Sequence, residues 1–326
     1  HKEFLMGNAA IALGAVAAGV NVVAGYPGTP STEVLETIAK HRPDDVYVEW
    51  SVNEKAAMEL AAGASYAGAR SMVTMKQVGL NVASDPLMSL EYVGIKGGMV
   101  ILVADDPGPI SSQTEQDTRH FSRFSKLPCF DPSSAQEAYE MIQEAFEYSE
   151  KYGTPVFLRP TTRVCHGYAS IMVKDETEYT HHQPEGFIKD SKRWVIFPRL
   201  SFMNHKKIEA RNQELSDVFS SYEKNKIHPS CDAFKDSKKG IATGGISYTY
   251  TMETLKKTGM VKTLKIATPH PFPEKLAVDF LSGLDEVLCL EELDPVIERE
   301  LIYICGKYHL PTRINGKLSG HTACAG

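Results

Sequence analysis

Four stretches of the chain combine residue types able to bind or activate a small molecule. The first runs Gly25-Tyr26-Pro27-Gly28-Thr29-Pro30-Ser31-Thr32. Its glycines let backbone approach a ligand, and the helix starting at Ser31 offers N–H groups and a positive dipole end to an anion. The same composition also suits a stiff strand-to-helix turn with a capping serine. The second, Trp50 to Lys55, sets Glu54 in the first turn of an Ala-rich helix. The helix dipole stabilises a carboxylate there, whether it is a plain first-turn acid or a group aimed at a ligand. The third, Lys76-Gln77-Val78-Gly79-Leu80-Asn81, joins a permissive glycine to two neutral hydrogen-bonding amides, Gln77 and Asn81. It also reads as an ordinary turn. The fourth, 105–119, holds Gln113, Gln116, Asp117 and Arg119 and is long and polar for a simple connector. Its adjacent Asp105 and Asp106 would face opposite ways at a strand end, which argues against a metal pair.

Each of these stretches follows a short apolar run that reads as a strand: 21–24, 46–49, 71–75 and 98–104. Helical segments separate them, a helix at 5–19 precedes them, and helix 133–152 and strand 154–158 follow. Apolar strands joined through helices need crossover connections, which predicts a mainly parallel sheet with helices on both faces. Ligands of such sheets bind beyond the carboxyl ends of the strands, where the four loops lie. Residues 164–238 break the rhythm. They are polar, carry a mixed-charge run at 204–225 that reads as one exposed helix, and are expected to be a linker. Alternation resumes with strands at 240–243, 262–267, 285–291 and 311–314. The expected fold class is α/β, with two open, mainly parallel-sheet domains at 1–163 and 239–326.

Composition narrows the function classes. The chain has 326 residues, enough for two domains with real cores. Lys and Arg number 35 against 41 Asp and Glu, a net charge of −6, which disfavours nucleic acid as a partner. No apolar run reaches the about 18 residues of a membrane span, so no membrane partner is expected. Cys129, Cys165, Cys231, Cys289, Cys305 and Cys324 lack the close spacing of a zinc or iron–sulfur site, so no metal ligands are assigned. Scattered thiols suit a reducing, cytoplasmic setting. Gly244-Gly245 is not a complete dinucleotide fingerprint, and His181-His182 lies in the polar linker.

Taken together, the loops resemble a known family. The carrying segments are LMGNAAIALGAVAAGVNVVAGYPGTPSTEV (5–34), VEWSVNEKAAMELAAGASYAGAR (48–70), MKQVGLNVASDPLMSL (75–90) and VADDPGPISSQTEQDTRHF (103–121). Segments 159–167, 186–195 and 240–320 extend the match over almost the whole chain. The chain resembles the alpha subunits of indolepyruvate:ferredoxin oxidoreductases, a branch of the thiamine-diphosphate 2-oxoacid:ferredoxin oxidoreductases. The resemblance implies a pyrimidine-binding first domain and a second domain like the C-terminal domain of transketolase. It implies that Glu54 is catalytic, hydrogen-bonding the aminopyrimidine ring nitrogen so that the thiazolium carbon becomes nucleophilic. It places Thr29 near the substrate carboxylate and seeks further substrate contacts at Gln113, Gln116, Asp117 and Arg119. Cofactor contacts are expected from Tyr26, Pro27, Gly28, Ser31, Gln77, Gly79 and Asn81.

The implied reaction is oxidative decarboxylation of arylpyruvates, with coenzyme A taking the acyl group and iron–sulfur clusters passing electrons to ferredoxin. The family also has a pyrophosphate-binding domain that holds magnesium, cysteine-rich cluster segments and a beta subunit. This chain carries neither segment, so the resemblance implies half of a cofactor site, an oligomer, and no activity for these residues alone. Apolar surface is expected around Tyr26, Val78 and Leu80, where the other wall of the site is missing. A split-subunit thiamine-dependent decarboxylase, and a scaffold that keeps the fold without the chemistry, are the rival readings.

Overall fold

Short, mostly apolar runs form the strands, and longer runs that alternate apolar and polar residues form most of the helices between them. The computed structural model describes residues 1–325. The chain begins with β1 (Lys2–Met6) and α1 (Gly7–Ala17), then alternates through β2 (Val22–Gly25), α2 (Thr32–His41), β3 (Tyr47–Trp50), α3 (Glu54–Tyr66), β4 (Ser71–Lys76), α4 (Gly79–Val93) and β5 (Met99–Ala104). The unit is completed by α5 (Thr118–Phe124), β6 (Cys129–Phe130), α6 (Ala135–Tyr152) and β7 (Val156–Leu158). These strands form a six-stranded parallel sheet in the order β3-β2-β4-β5-β7-β6. α1, α2 and α6 cover one face through Ile11, Leu35 and Ile142; α3 and α4 cover the other through Met58, Ala61 and Leu87.

The helix expected over 5–19 starts later. Leu5 and Met6 belong to β1, which pairs antiparallel with β8 (Tyr168–Met172), after the short α7 (Thr162–His166). Leu5 and Ala169 pack against the buried Ile171 and Tyr139, so a long-range pairing overrides the local apolar pattern. The 164–238 segment is likewise not a solvated linker. After α8 (Ser191–Trp194) it forms α9 (Pro198–Ser220), which turns Ile208, Asn212, Leu215 and Phe219 inward. Leu215 and Phe219 join the core of the first sheet, and the Phe219 ring meets Phe130 at 5.6 Å. β9 (Lys226–His228) then pairs antiparallel with the second sheet, so that unit begins before the boundary expected at 239.

The second sheet takes β10 (Lys239–Gly244), β11 (Lys262–Ile266), β12 (Glu286–Leu290) and β13 (Arg313–Asn315), alternating with α10 (Gly245–Thr258), α11 (Glu274–Leu281) and α12 (Val296–Tyr308). Its order is β13-β12-β10-β11-β9, parallel apart from β9. The two sheets meet where Cys129 N donates to His270 O at 2.8 Å and Asp131 N donates to Ala267 O at 2.8 Å. Among the described residues no helix is long and apolar enough to cross a membrane.

The strand order places the site. β2 runs out to β3, and the chain then returns past β2 to β4, so the connections part on either side of the β2–β4 pair. A crevice opens at the carboxyl ends of such a pair.

Candidate active site

Two loops flank that crevice: 26–31 after β2 and 77–78 after β4. The first is held by its own polar groups. The Ser31 hydroxyl and backbone N–H both donate to Gly28 O, at 2.9 and 2.8 Å, and Gly28 N donates to Thr32 Oγ1 at 2.9 Å. Asn8 of α1 ties the base of the loop through bonds to Pro30 O at 2.7 Å and to Glu33 at 2.8 Å. Tyr26, Pro27 and Thr29 are left exposed on the crevice side.

Glu54 arrives from β3 as the first residue of α3. Asn53 caps that helix by accepting from Ala56 N at 2.9 Å. The Glu54 side chain then crosses Gly79, the first residue of α4. A Cβ on Gly79 would stand 2.5 Å from Glu54 Oε1 and 2.6 Å from its Cγ. Gly79 is therefore required by the passage of the carboxylate. Glu54 is half-buried, and among the described residues its carboxylate makes no hydrogen bond or ion pair. Its neighbour Lys55 is satisfied by Asp85 at 2.6 Å. A partly buried carboxylate without a protein donor is poised to accept from a ligand N–H.

The 105–117 loop folds over the same edge. Ser111 Oγ donates to Thr29 O at 3.5 Å, and Gln77 Nε2 donates to Thr114 O at 3.2 Å. Gln77 Oε1 is buried without a donor. Asn81 and Gln116 exchange amide hydrogen bonds at 3.2 and 3.4 Å, which joins the start of α4 to the loop. Gln113 is exposed beyond them.

Three of the expected contacts are turned elsewhere. Ser31 is buried, its hydroxyl spent on Gly28 O. Asp117 and Arg119 lie in a buried charge network, with side chains 1% and 2% exposed. Asp117 caps α5 and pairs with Arg119 at 2.7 Å; Arg119 also bonds Glu291 at 2.7 Å and the backbone oxygens of Glu292 and Asp294. Burial works against the charge on both, but the opposite charges prevail. Asp117 is held well below the usual carboxylate range by Arg119 and Arg159, and Arg119 is held protonated by Asp117 and Glu291. Arg159 extends the network to Asp105 at 2.6 Å and Asp131 at 3.3 Å, and burial pushes Asp131 up to about 6. A buried arginine already saturated by carboxylates has nothing left for a substrate. Asp105 also accepts from Thr118 N at 2.9 Å, while Asp106 accepts from Ser111 N at 2.9 Å and Thr162 Oγ1 at 2.8 Å, so neither acid is free for a metal.

The apolar rim differs from expectation in one member. Leu80 is a core residue among Met58, Ala83 and Leu87, whereas Val52 (84% exposed), Val82 and Ile110 stand outward with Tyr26. Val82 lies three residues past Gly79, on the outer face of α4, a spacing already visible in the sequence.

These residues fit the aminopyrimidine end of thiamine diphosphate: a free carboxylate, an orphaned buried acceptor on Gln77, and a crossing that any side chain at 79 would fill. Comparisons with known proteins bear on the family and the fold. The chain is 43% identical over 324 residues to the indolepyruvate oxidoreductase subunit IorA of Methanothermobacter thermautotrophicus, covering 98% of this chain and 51% of the relative. It thus spans about half the length of the curated relatives it matches. Among solved structures, a 2-oxoglutarate:ferredoxin oxidoreductase from Magnetococcus marinus, with 2-oxoglutarate, coenzyme A and succinyl-CoA bound, superposes with a TM-score of 0.75 at 17% identity. That match covers 97% of this chain and 62% of that one. A split-gene transketolase, an inactive beta4 tetramer, does so with a TM-score of 0.62 at 15% identity, covering 95% and 87%. Both likenesses establish the α/β fold. The family described as pyruvate flavodoxin/ferredoxin oxidoreductase, thiamine diphosphate-binding, matches residues 13–239, which hold the whole β2–β4 crevice, and it is to this family that the chain belongs.

Proposed function

We infer that the chain supplies the aminopyrimidine half of the thiamine diphosphate site of a 2-oxoacid:ferredoxin oxidoreductase acting on arylpyruvates such as indolepyruvate. The observation that carries this reading is Glu54, a half-buried carboxylate without a protein partner, crossing a glycine at the switch-point crevice. Glu54 would hold the aminopyrimidine as acceptor of a ring N–H. Gln77, with its orphaned oxygen, and Asn81 offer further polar contacts; Tyr26, Pro27 and Gly28 form the opposite wall. Thr29, Gln113 and Gln116 are the substrate-side groups. When bound, thiamine diphosphate supplies the electron sink that lets a 2-oxo acid lose carbon dioxide. The protein's part is to position that group and to keep its ring nitrogen hydrogen-bonded. Indolepyruvate as substrate, and a partner subunit, are supported by the name of the relative at 43% identity. Ferredoxin as acceptor, coenzyme A as acyl acceptor, magnesium and iron–sulfur clusters belong to the rest of the assembly on this reading. So does the other wall of the site, which the exposed rim of Tyr26, Val52 and Ile110 would meet. A cytoplasmic location follows from ferredoxin-linked chemistry.

The test uses the parent protein and its partner subunit, purified without oxygen. Reduction of an acceptor dye by indolepyruvate should require added thiamine diphosphate, magnesium and coenzyme A. Glu54→Gln, which keeps size but not charge, should lower turnover by about 100-fold or more. Undiminished turnover in that variant would remove Glu54 from the chemistry. Aldehyde release without dye reduction would assign the assembly to the decarboxylases instead.

A further inference from the structure

Lys76 ends β4 at the middle of the first sheet's carboxyl edge, where it pairs in register with Ala104. Alternation along β4 sends Val73 and Met75 toward α3 and α4, and Met72 toward α1 and α2. Lys76 therefore leaves the strand on the side of α2. There its stem lies against Gly28: a Cβ on that glycine would be 3.0 Å from Lys76 Cγ and 3.1 Å from Cδ. The glycine thus makes room for the lysine as Gly79 does for Glu54. Lys76 is half-buried, and among the described residues its ammonium has no hydrogen bond or ion pair. Lys55, beside Glu54 at the start of α3, is by contrast neutralised by Asp85 at 2.6 Å.

The β2–β4 crevice accordingly holds two uncompensated charges. Glu54 reaches it across Gly79, and Lys76 reaches it across Gly28, next to the exposed Thr29. A fixed cation in a crevice raises the local concentration of anions. The carboxylate of Glu54 disfavours a multiply charged anion there and admits a monoanion with a neutral remainder. We propose that Lys76 is the substrate-carboxylate contact of this site, its ammonium donating to the carboxylate of the bound 2-oxo acid beside the Thr29 hydroxyl. This rests on the reading that the site turns over a 2-oxo acid.

The chemistry fixes where the effect must be seen. Loss of carbon dioxide removes the negative charge from that carboxylate. An ammonium bound to it therefore favours the bound substrate at least as much as the transition state. Its removal should raise KM and leave kcat unchanged or higher.

In the parent complex, Lys76→Met should raise the KM for indolepyruvate by about 10-fold to 100-fold, the range for a charge-assisted hydrogen bond. Its kcat and its half-saturation by thiamine diphosphate should stay within about twofold, which also reports an intact fold. Lys76→Arg should recover most of the affinity. Indole-3-propionate, which has the carboxylate but no ketone, should inhibit the variant more weakly by the same factor, while its amide should inhibit both proteins alike. Lys76→Gln provides the same comparison if methionine disturbs the contact with Gly28. An unchanged KM and unchanged inhibition by the carboxylate would overturn the assignment. A fall in cofactor affinity at constant KM would overturn it too, and would move Lys76 to the cofactor. A wild-type complex with no thiamine-dependent turnover would defeat the functional reading itself, and this assignment with it.

Discussion

Gly79 governs where the Glu54 carboxylate can go. It is the first residue of α4, in a turn closed by Leu80 N to Gln77 O and Asn81 N to Val78 O, both at 3.2 Å, so a methyl group placed there would stand 2.5 to 2.7 Å from the Glu54 atoms. The Glu54 side chain must swing instead. Helix propensity pulls the other way: alanine is worth about 1 kcal/mol over glycine in a helix interior and less at its first turn. Gly79→Ala should therefore unfold at a temperature within a few degrees of wild type, yet lose turnover nearly as fully as Glu54→Gln. Thermal melts and dye reduction on the same preparations check this; full turnover in the alanine variant would show that Glu54 does not need its observed path. Glu54, Thr29 and Gly79 stand out in the sequence because each loop follows a strand with its own local signal. Arg119 and Asp117, expected as substrate groups, are instead committed to buried partners, because a polar loop residue looks the same in sequence whether its partner is a ligand or a buried glutamate 172 positions away.

At the scale of elements, α9 departs most from its appearance in the sequence. Its charges are dense, and the buried side shows only as a thin stripe, Ile208, Leu215 and Phe219. That stripe fills the gap beside β6, where Phe130, Tyr148 and Tyr222 surround Phe219. Leu215 is completely buried. Leu215→Ala should cost about 2–5 kcal/mol, as for core leucines elsewhere. A leucine on a solvated linker helix would cost about 0.5 kcal/mol or less. Denaturant unfolding separates the two values without ambiguity, and a loss at the lower figure would return α9 to the surface. The four strands missing from the sequence reading, β1, β6, β8 and β9, are two to five residues long and lie at sheet edges or in the two-stranded sheet. Such strands form because a partner is presented to them, and their own residues carry little preference.

Across the whole molecule, the two sheets are joined by backbone bonds at Cys129 and Asp131 and by ion pairs that cross between them. Arg119 reaches Glu291, Arg163 reaches Glu292 at 2.7 Å, and Lys265 pairs with Glu137. Arg119 and Glu291 are each 2% exposed. Glu291 also accepts from the backbone of Ile297 and Glu298 at the start of α12, which anchors the second sheet's helix to the first unit. Arg119→Met would leave Glu291 as a buried acid without its counter-charge and Asp117 with only Arg159 at 3.6 Å, at a cost of about 3–5 kcal/mol. Equilibrium unfolding of the chain should record that loss, with both halves unfolding together in the wild type and the second half loosening first in the variant. Stability equal to wild type would mean that the network contributes nothing to holding the sheets together.

Read as a string, the chain already carries its class, its alternation of strands and helices, and the four loops that lie beyond strand ends. It also carries the segments by which its family is recognised. All of these are local: periodicity, glycine and proline placement, and contiguous motifs survive without knowledge of contacts. What folding added was the partner of each group. It set Glu54 against Gly79, Lys76 against Gly28, Arg119 against Glu291, and α9 against β6. Which polar residues are left unpaired at the β2–β4 crevice follows from strand order and burial. Those depend on contacts between distant positions, to which local pattern is blind.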